Sequence, residues 1–391
     1  MGSLPNTVEF SASRHATPIF AASVLSEFVY KSFRTARRCR LKLKVLNMKL
    51  AIPPDFAPME AEVATAIPRG EQWQYEPKWD GFRCLAFKNE DQIALMSKSG
   101  QHLERYFPEM IRALKGLKAK RFVLDGELII AEKKRLDFDA LLQRIHPAAS
   151  RIKKLSEETP ATLVVFDLLL NERRKNWTSS VLTDRRGELE RFAEKYFAGD
   201  SRIRLSPVTH EFSLAKRWFK RMAGPLDGVI AKRLDQPYIS GKGGAMLKIK
   251  NLRTADCVVG GFRYGTKDKL VASLLLGLYD KAGLLNHVGF TSGLASTDKE
   301  SLTKKLQRLI HPPGFTGAAP GGPSRWSKGG RSADWHPLKP TLVVEVQYDH
   351  FSGHRFRHGT RLLRWRPEKD PAMCRIEQVK KETESPLTLL D

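Results

Sequence analysis

The residues best suited to chemistry gather in one short stretch, Glu76-Pro77-Lys78-Trp79-Asp80-Gly81-Phe82-Arg83. Lys78 stands where an extended run reaches a turn marked by Asp80-Gly81, a common turn dipeptide. A lysine amine attacks phosphorus or a carbonyl carbon only when neutral, so a nucleophilic role needs burial or nearby positive charge. Arg83 supplies such a charge, with Trp79 and Phe82 between the two cations. Taken alone, Lys-x-Asp-Gly is equally at home in a hairpin carrying a surface lysine.

Further polar signatures follow in order. Ser97-Lys98-Ser99-Gly100 is first, then Asp125-Gly126-Glu127 inside a strongly apolar segment, and Val165-Phe166-Asp167. Asp227-Gly228-Val229-Ile230-Ala231-Lys232 and Lys248-Ile249-Lys250 complete the series. A carboxylate within an apolar strand is expensive to bury without a partner, and a structural ion pair accounts for any single case. Together they supply enough carboxylates and lysines to surround a nucleoside triphosphate and its divalent metal. Lysines would neutralise phosphate oxygens, carboxylates would hold the metal, and Phe166 would stack on a base.

The elements that position these groups are read from composition and periodicity. Runs rich in Val, Ile, Leu and Phe predict strands at Arg83–Phe87, Gln92–Met96, Arg121–Ala131, Ala161–Leu169, Asp227–Lys232 and Met246–Lys250. Thr183–Phe197 places Leu189, Phe192, Ala193, Tyr196 and Phe197 on one helical face, and Glu109–Leu117 follows Pro108, a good first-turn residue. The mixture is α+β. Past Lys250-Asn251-Leu252-Arg253 the character changes to strands at Cys257–Tyr264, Val271–Tyr279, Leu285–Phe290, Thr341–Tyr348, Leu362–Trp365 and Arg375–Val379. One helix interrupts them, with Thr297 and Glu300 as a capping-box pair ahead of Leu302, Leu306, Leu309 and Ile310. Short strands with one helix fit a small barrel of the OB type. A Gly/Pro/Ser-rich loop between Pro312 and Pro340 carries Arg325, Trp326, Lys328 and Arg331, and is too long for a plain connector.

The 391 residues carry 67 basic against 43 acidic side chains, a net charge of +24, which points to a polyanionic partner, nucleic acid ahead of an anionic membrane. Residues 1–47 hold Arg14, Lys31, Arg34, Arg37, Arg38, Arg40, Lys42 and Lys44 against only Glu9 and Glu27, with a short amphipathic helix conceivable at Ile19–Tyr30. That leader reads as a disordered or spurious extension ahead of Met48, over a transit peptide or a DNA-binding arm. The positive excess does not depend on it. Cys39, Cys84, Cys257 and Cys374 form no C-x-x-C pair and no zinc-ligand spacing, so a reducing compartment is expected. No apolar run reaches the length of a membrane span, and a soluble cytoplasmic protein follows.

The ordered signatures resemble the nucleotidyltransferase motifs of the ATP-dependent DNA ligase, RNA ligase and mRNA-capping superfamily, over roughly residues 50 to 380. Phe356-Arg357-His358-Gly359-Thr360-Arg361-Leu362-Leu363-Arg364-Trp365-Arg366-Pro367-Glu368-Lys369 resembles the final motif of the small bacterial C-type DNA ligases. Arg253–Arg263 and Pro320–Ser327 are similar to the same group. The resemblance implies an adenylation domain of antiparallel sheets and helices over 48–252, an OB-fold domain over 253–380, and a tail over 381–391. It implies that Lys78 forms a lysine–AMP phosphoramidate, that Glu76 contacts adenine and that Phe166 stacks on it. Arg83, Lys98 and Glu127 would hold ribose and phosphate, with Lys232 also on the ATP. Lys248 and Lys250 would grip the α-phosphate. Asp80, Glu127 and Asp227 would lie on the side of a Mg²⁺ or Mn²⁺, and Arg366 and Lys369 would orient pyrophosphate.

This sequence departs from the family pattern at three places: Lys98 stands where arginine is usual, Asp227 where glutamate is, and Met246 where many relatives have tryptophan. The implied activity is sealing of nicked duplex DNA by a monomeric accessory repair enzyme, with an end-binding partner conceivable. An RNA ligase or capping-type enzyme is the alternative, and a basic binding protein with a decayed centre is the rival of another class. Arg185, Arg186, Arg325, Lys328 and Arg331 are the candidate DNA contacts, since phosphate contacts position a duplex without reading its sequence.

Overall fold

Two β-sheets face each other across a cleft, and the alternation of side chains along their strands decides which residues meet there. The structure, a computed structural model, describes residues 48–132, 135–199, 202–221, 226–265, 268–292, 294, 298–321, 334–379 and 385–390. The leader, with the helix considered at Ile19–Tyr30, and the loop segment with Arg325, Lys328 and Arg331 lie outside them. Leu50–Asp391 form one compact unit.

The first sheet has the order β1 (Met59–Val63), β11 (Gly241–Lys250), β10 (Gly228–Arg233), β2 (Trp73–Pro77). Its outer face carries Trp73, Tyr75, Val229, Ala231 and Ile249, which pack on Ala215 and Trp218 of helix α5 (Phe212–Arg221). One residue along each strand, the opposite face presents Glu76, Ile230, Lys232, Met246 and Lys248 to the cleft. Period-two alternation thus puts an apolar and a charged face on the same sheet.

The second sheet runs β4 (Gln92–Ser97), β3 (Phe82–Asn89), β5 (Arg121–Ile129), β8 (Thr162–Leu170), β9 (Ile203–Leu205). Cys84, Ala86, Leu124, Leu128, Leu163 and Val165 pack into a core with helices α1 (Pro108–Gly116), α2 (Phe138–Arg144) and α4 (Leu182–Tyr196). Helix α3 (Ala149–Glu158) lies between α2 and β8 in the chain, and β6 (Ala131–Glu132) pairs with β7 (Arg135–Leu136). Helix α1 starts at Pro108 and ends on the buried Lys88 ammonium, which donates to the carbonyls of Leu114 (2.9 Å), Lys115 (3.2 Å) and Leu117 (2.7 Å). A cation on the last carbonyls of a helix satisfies acceptors the helix cannot.

The remaining strands form a barrel, β14 (Leu285–Thr291), β13 (Val271–Tyr279), β12 (Arg253–Tyr264), β16 (Val343–Tyr348), β19 (Arg361–Trp365), with β15 (His336–Pro337) added on β12. Its ends meet where Thr291 bridges Thr360, and Thr291 Oγ1 donates to the Thr360 carbonyl at 2.9 Å. Closure by that bridge gives the OB-type barrel expected, with Leu302 and Leu306 of helix α6 (Lys299–Gln307) inserted into its core. A hairpin, β17 (Phe351–Ser352) and β18 (Arg355–Phe356), projects between β16 and β19.

The α+β class holds, with parallel pairing at β1–β11 and β8–β9 among otherwise antiparallel ladders. Asp80-Gly81 carries the chain from β2 into a different sheet, so the alternative of a simple hairpin does not apply. Two local expectations are corrected. Residues 375–379 are not a strand: after a single bridge at Arg375 the chain winds into a 3₁₀ turn over Ile376–Val379, tied to β12 by Gln378. The cap of α6 is Asp298, whose Oδ1 accepts from Glu300 and Ser301 N–H, while Thr297 lies outside the described residues.

Candidate active site

Lys78 follows the last residue of β2 and sits at the seam where the chain leaves one sheet for the other. Its amide donates to the Gly228 carbonyl and its carbonyl accepts from the Asp227 amide, both at 3.0 Å. These bonds bring the Lys78 ammonium onto Asp227 Oδ2. Gly228 is required there. Its φ is +133°, and a Cβ would lie 2.0 Å from the Ile249 carbonyl oxygen. The next residue, Trp79, is buried against Ile129, Val164 and Leu226 and donates to Ser206 Oγ at 3.0 Å. The segment Pro386–Leu389, followed by Leu390, packs on the same patch.

Glu76, Lys78, Arg83, Lys98, Glu127, Phe166, Lys232 and Lys248 line one cleft, together with Met59, Glu60 and Met246. On the first sheet Glu76 pairs with Lys232 at 2.8 Å and accepts from Gln74 at 2.8 Å. The Phe166 ring receives Lys232 Nζ at 4.7 Å and Arg83 Cζ at 4.4 Å from its centroid. Arg83 forms a two-pronged pair with Asp125, both bonds 2.6 Å, and Tyr238 donates to the same carboxylate at 2.5 Å. Lys98 reaches across the mouth to Glu60 at 2.9 Å.

The electrostatics mark two groups as unsatisfied. Glu127 and Lys248 have no ion pair or hydrogen bond through their side chains among the described residues. Burial pushes the Glu127 carboxyl up to about 7, against the pull of Arg83 and Lys78. Burial also lowers the Lys248 ammonium, helped by the charges of Lys98, Lys78 and Lys250. Burial alone would raise Asp227, but the His350 hydrogen bond and the Lys78 charge outweigh it and hold that carboxyl well below the usual range.

Several residues that sequence reading left without a role reach this floor from the barrel. His350 Nε2 lies 2.8 Å from Asp227 Oδ1, and its Nδ1 lies 3.9 Å from Asp80 Oδ2. Arg357 donates to both Asp80 oxygens, at 2.7 and 2.8 Å. Lys250 meets Asp349 at 3.3 Å, and His358 bonds that carboxylate at 2.9 Å. Asp349-His350 directly after the apolar strand β16 was the available signal. Asp125 was visible as a buried carboxylate, but Glu127 was chosen over it for the ribose side.

Asp80, Asp227 and Lys250 border the cleft without lining it, and two further groups of expected residues are not brought to it. Arg366 pairs with Asp256 at 2.8 Å and Lys369 reaches the same carboxylate at 3.6 Å, on the barrel's own strands. Arg185 and Arg186, expected as DNA contacts, are instead buried in ion pairs. Arg185 is 2 % exposed and grips Asp167 through bonds of 2.9 and 3.1 Å, and Arg186 is buried on Glu190 and the Ser206 carbonyl.

The description "ATP dependent DNA ligase domain" matches residues 56–250, and "ATP dependent DNA ligase C terminal region" matches 267–369. DNA ligase C of Mycobacterium tuberculosis is 40% identical over 88% of this chain and 97% of its own. This chain belongs to the ATP-dependent DNA ligases. The ligase is also 27% identical to the multifunctional non-homologous end joining protein LigD of Mycolicibacterium smegmatis, over 88% of the chain and 42% of that protein. Among solved structures, one titled Pmar-Lig_PreS3 superposes with a TM-score of 0.56 at 18% identity, covering 79% of the ligase and 67% of that chain, a likeness of fold.

The ligase uses ATP and acts on DNA, and its donor set suits a hard divalent metal. Asp80, Glu127 and Asp227 offer carboxylate oxygens, as Mg²⁺ and Mn²⁺ prefer. No group of three such donors converges among the described residues as packed. No helix among the described residues is long and apolar enough to cross a membrane.

Proposed function

We propose that the ligase seals nicks in duplex DNA through a covalent Lys78–AMP intermediate. In the first transfer Lys78 Nζ attacks the α-phosphorus of ATP, a P–N bond forms and pyrophosphate leaves. The AMP then passes to the 5′-phosphate at the nick, freeing Lys78. Finally the 3′-hydroxyl attacks that phosphate, AMP departs and the strand is joined.

The observation that carries this reading is the placement of Lys78 at the base of a cleft walled by Glu76, Phe166, Lys232 and Lys248. In this reading Phe166 would stack on adenine and Glu76 would bond its edge. Lys248 and Lys250 would stabilise charge developing on the α-phosphate. The attacking amine must be neutral. Asp80, Glu127 and Asp227 would hold the metal, which supplies neutralisation of phosphate charge when bound. Arg366 and Lys369 reach the pyrophosphate only if the barrel turns relative to the cleft.

Boundaries near residues 252 and 380, monomeric action in the bacterial cytoplasm and a repair role belong to the same reading. Incubation with α-labelled ATP and divalent metal should label the wild type and not Lys78→Ala, and nicked duplex should discharge the label as it is sealed. Equal labelling of Lys78→Ala overturns the nucleophile assignment. Discharge onto RNA but not DNA overturns the substrate.

A further inference from the structure

The segment from Asp349 to Arg357 contacts the floor of the cleft with charges opposite to those it meets. Asp349 lies on Lys250, at 3.3 Å, where the proposed mechanism puts a phosphate oxygen. His350 is 5 % exposed and bonds Asp227 at 2.8 Å, facing Asp80 on its other nitrogen. Arg357 covers both oxygens of Asp80 and stacks over Phe138, 4.1 Å from the ring centroid. Asp80 and Asp227 are the carboxylates assigned to the metal.

We infer that this segment is an internal stand-in for the metal and phosphate, and that metal binding and hairpin docking exclude one another. Arg357 takes one lone-pair site on each Asp80 oxygen and sets a positive charge against that carboxylate, so a cation and the guanidinium compete for it. Asp227 has one oxygen on Lys78 and the other on His350, and is engaged in the same way. The three contacts lie within nine residues of chain on one projecting hairpin, so they are made and broken together. A segment that must be displaced lowers apparent metal affinity by the fraction of molecules in which it is docked. Docking nine-tenths of the time weakens binding about tenfold.

The inference rests on the reading of Asp80 and Asp227 as metal-side groups. The test uses the full chain with MnCl₂ alone, no ATP and no DNA, so that no chemistry occurs. Mn²⁺ affinity is measured by the paramagnetic resonance of the free ion, and amide exchange by mass spectrometry of peptides spanning 349–358. In wild type, Mn²⁺ should raise exchange of the hairpin several-fold. In Arg357→Ala the hairpin should exchange fast without metal, and Mn²⁺ should bind about tenfold more tightly. His350→Ala should shift both readouts the same way. If Asp227→Asn abolishes Mn²⁺ uptake while Arg357→Ala and His350→Ala bind it as wild type does, with hairpin exchange insensitive to metal, the exclusion is overturned and the metal-side reading stands. If Asp80→Asn and Asp227→Asn both bind Mn²⁺ like wild type, the metal-side reading itself fails.

Discussion

Replacing Arg185 with alanine separates a buried strut from a DNA contact. In the folded chain its guanidinium makes four bonds: two to Asp167, at 2.9 and 3.1 Å, and two to the carbonyls of Ser180 (2.7 Å) and Gln236 (3.2 Å). Burial opposes ionisation of Asp167, but Arg185 overcomes it and holds that carboxyl below its ordinary value. The alanine variant leaves a buried carboxylate with the Leu168 amide, at 3.0 Å, as its remaining hydrogen bond. Breaking one half of a buried ion pair costs about 3–5 kcal/mol, and the two stranded carbonyls add to it. With a urea dependence of about 2–3 kcal/mol per molar, the midpoint should fall by roughly 1–2.5 M. Tryptophan fluorescence during urea unfolding measures that shift. A titration of nicked-duplex affinity against salt, on the folded variant, should keep the wild-type slope. A variant whose midpoint stays within about 0.3 M while its salt slope drops by about one phosphate contact would refute the burial argument. If Arg185→Ala fails to fold, Arg185→Met with Asp167→Leu removes both charges and should recover most of the loss, because a packed apolar pair often matches a buried ion pair.

Other substitutions test other parts of the framework. Lys88→Met should lower stability by about 2–4 kcal/mol in urea melts, since it strands carbonyls at the end of α1. Gly228→Ala should cut adenylylation at least about a hundredfold, read as label incorporated per minute, because the β10 backbone must shift and carry Lys78 and Asp227 with it. The His287 imidazole is pushed down to about 4 by burial, with the Arg263 and Arg355 charges adding to the effect. Its unfolded value is near 6.5, so the unfolded chain binds the extra proton between those limits and stability falls as pH drops from about 6.5 to 4. His287→Gln should flatten the barrel's thermal-stability profile over that window, and an unchanged slope would remove His287 as its source. Phe166→Ala should raise the ATP concentration for half-maximal labelling severalfold to tenfold, with little effect on sealing of pre-adenylylated nicks.

Most of the cleft was named through the ordered motifs and the resemblance they carry, while the strand Trp73–Pro77 that holds Glu76 was not predicted. Strand alternation then accounts for the shared face: Ile230 pairs with Glu76 on one side and Lys248 on the other, and Lys232 follows two residues on. The arginine pair was misjudged although the helix itself told against it. Arg185 falls four residues before Leu189 and seven before Phe192, on the apolar face of α4 that both line. A charge on that face must find a buried partner, and Asp167 in β8 provides it. What could not be read was long-range pairing. Nothing near Asp80-Gly81 says that the strands on either side join different sheets, and nothing near Asp349 says that it faces Lys250.

Lys78 at the seam between two sheets has a consequence for recombination of such genes. Its contacts are held by residues 149 positions away, at Asp227, while Asp80 depends on Arg357, 277 positions away. No continuous fragment carries the site, so a chimaera of two related ligases inherits it only when both ends of each pair come from the same parent or happen to match. Crossovers between residues 80 and 227 split both pairs, and crossovers between 227 and 357 split the second alone. A library of single-crossover chimaeras between divergent parents should therefore recover function unevenly along the chain, with survivors concentrated at junctions before Glu76 and after His358.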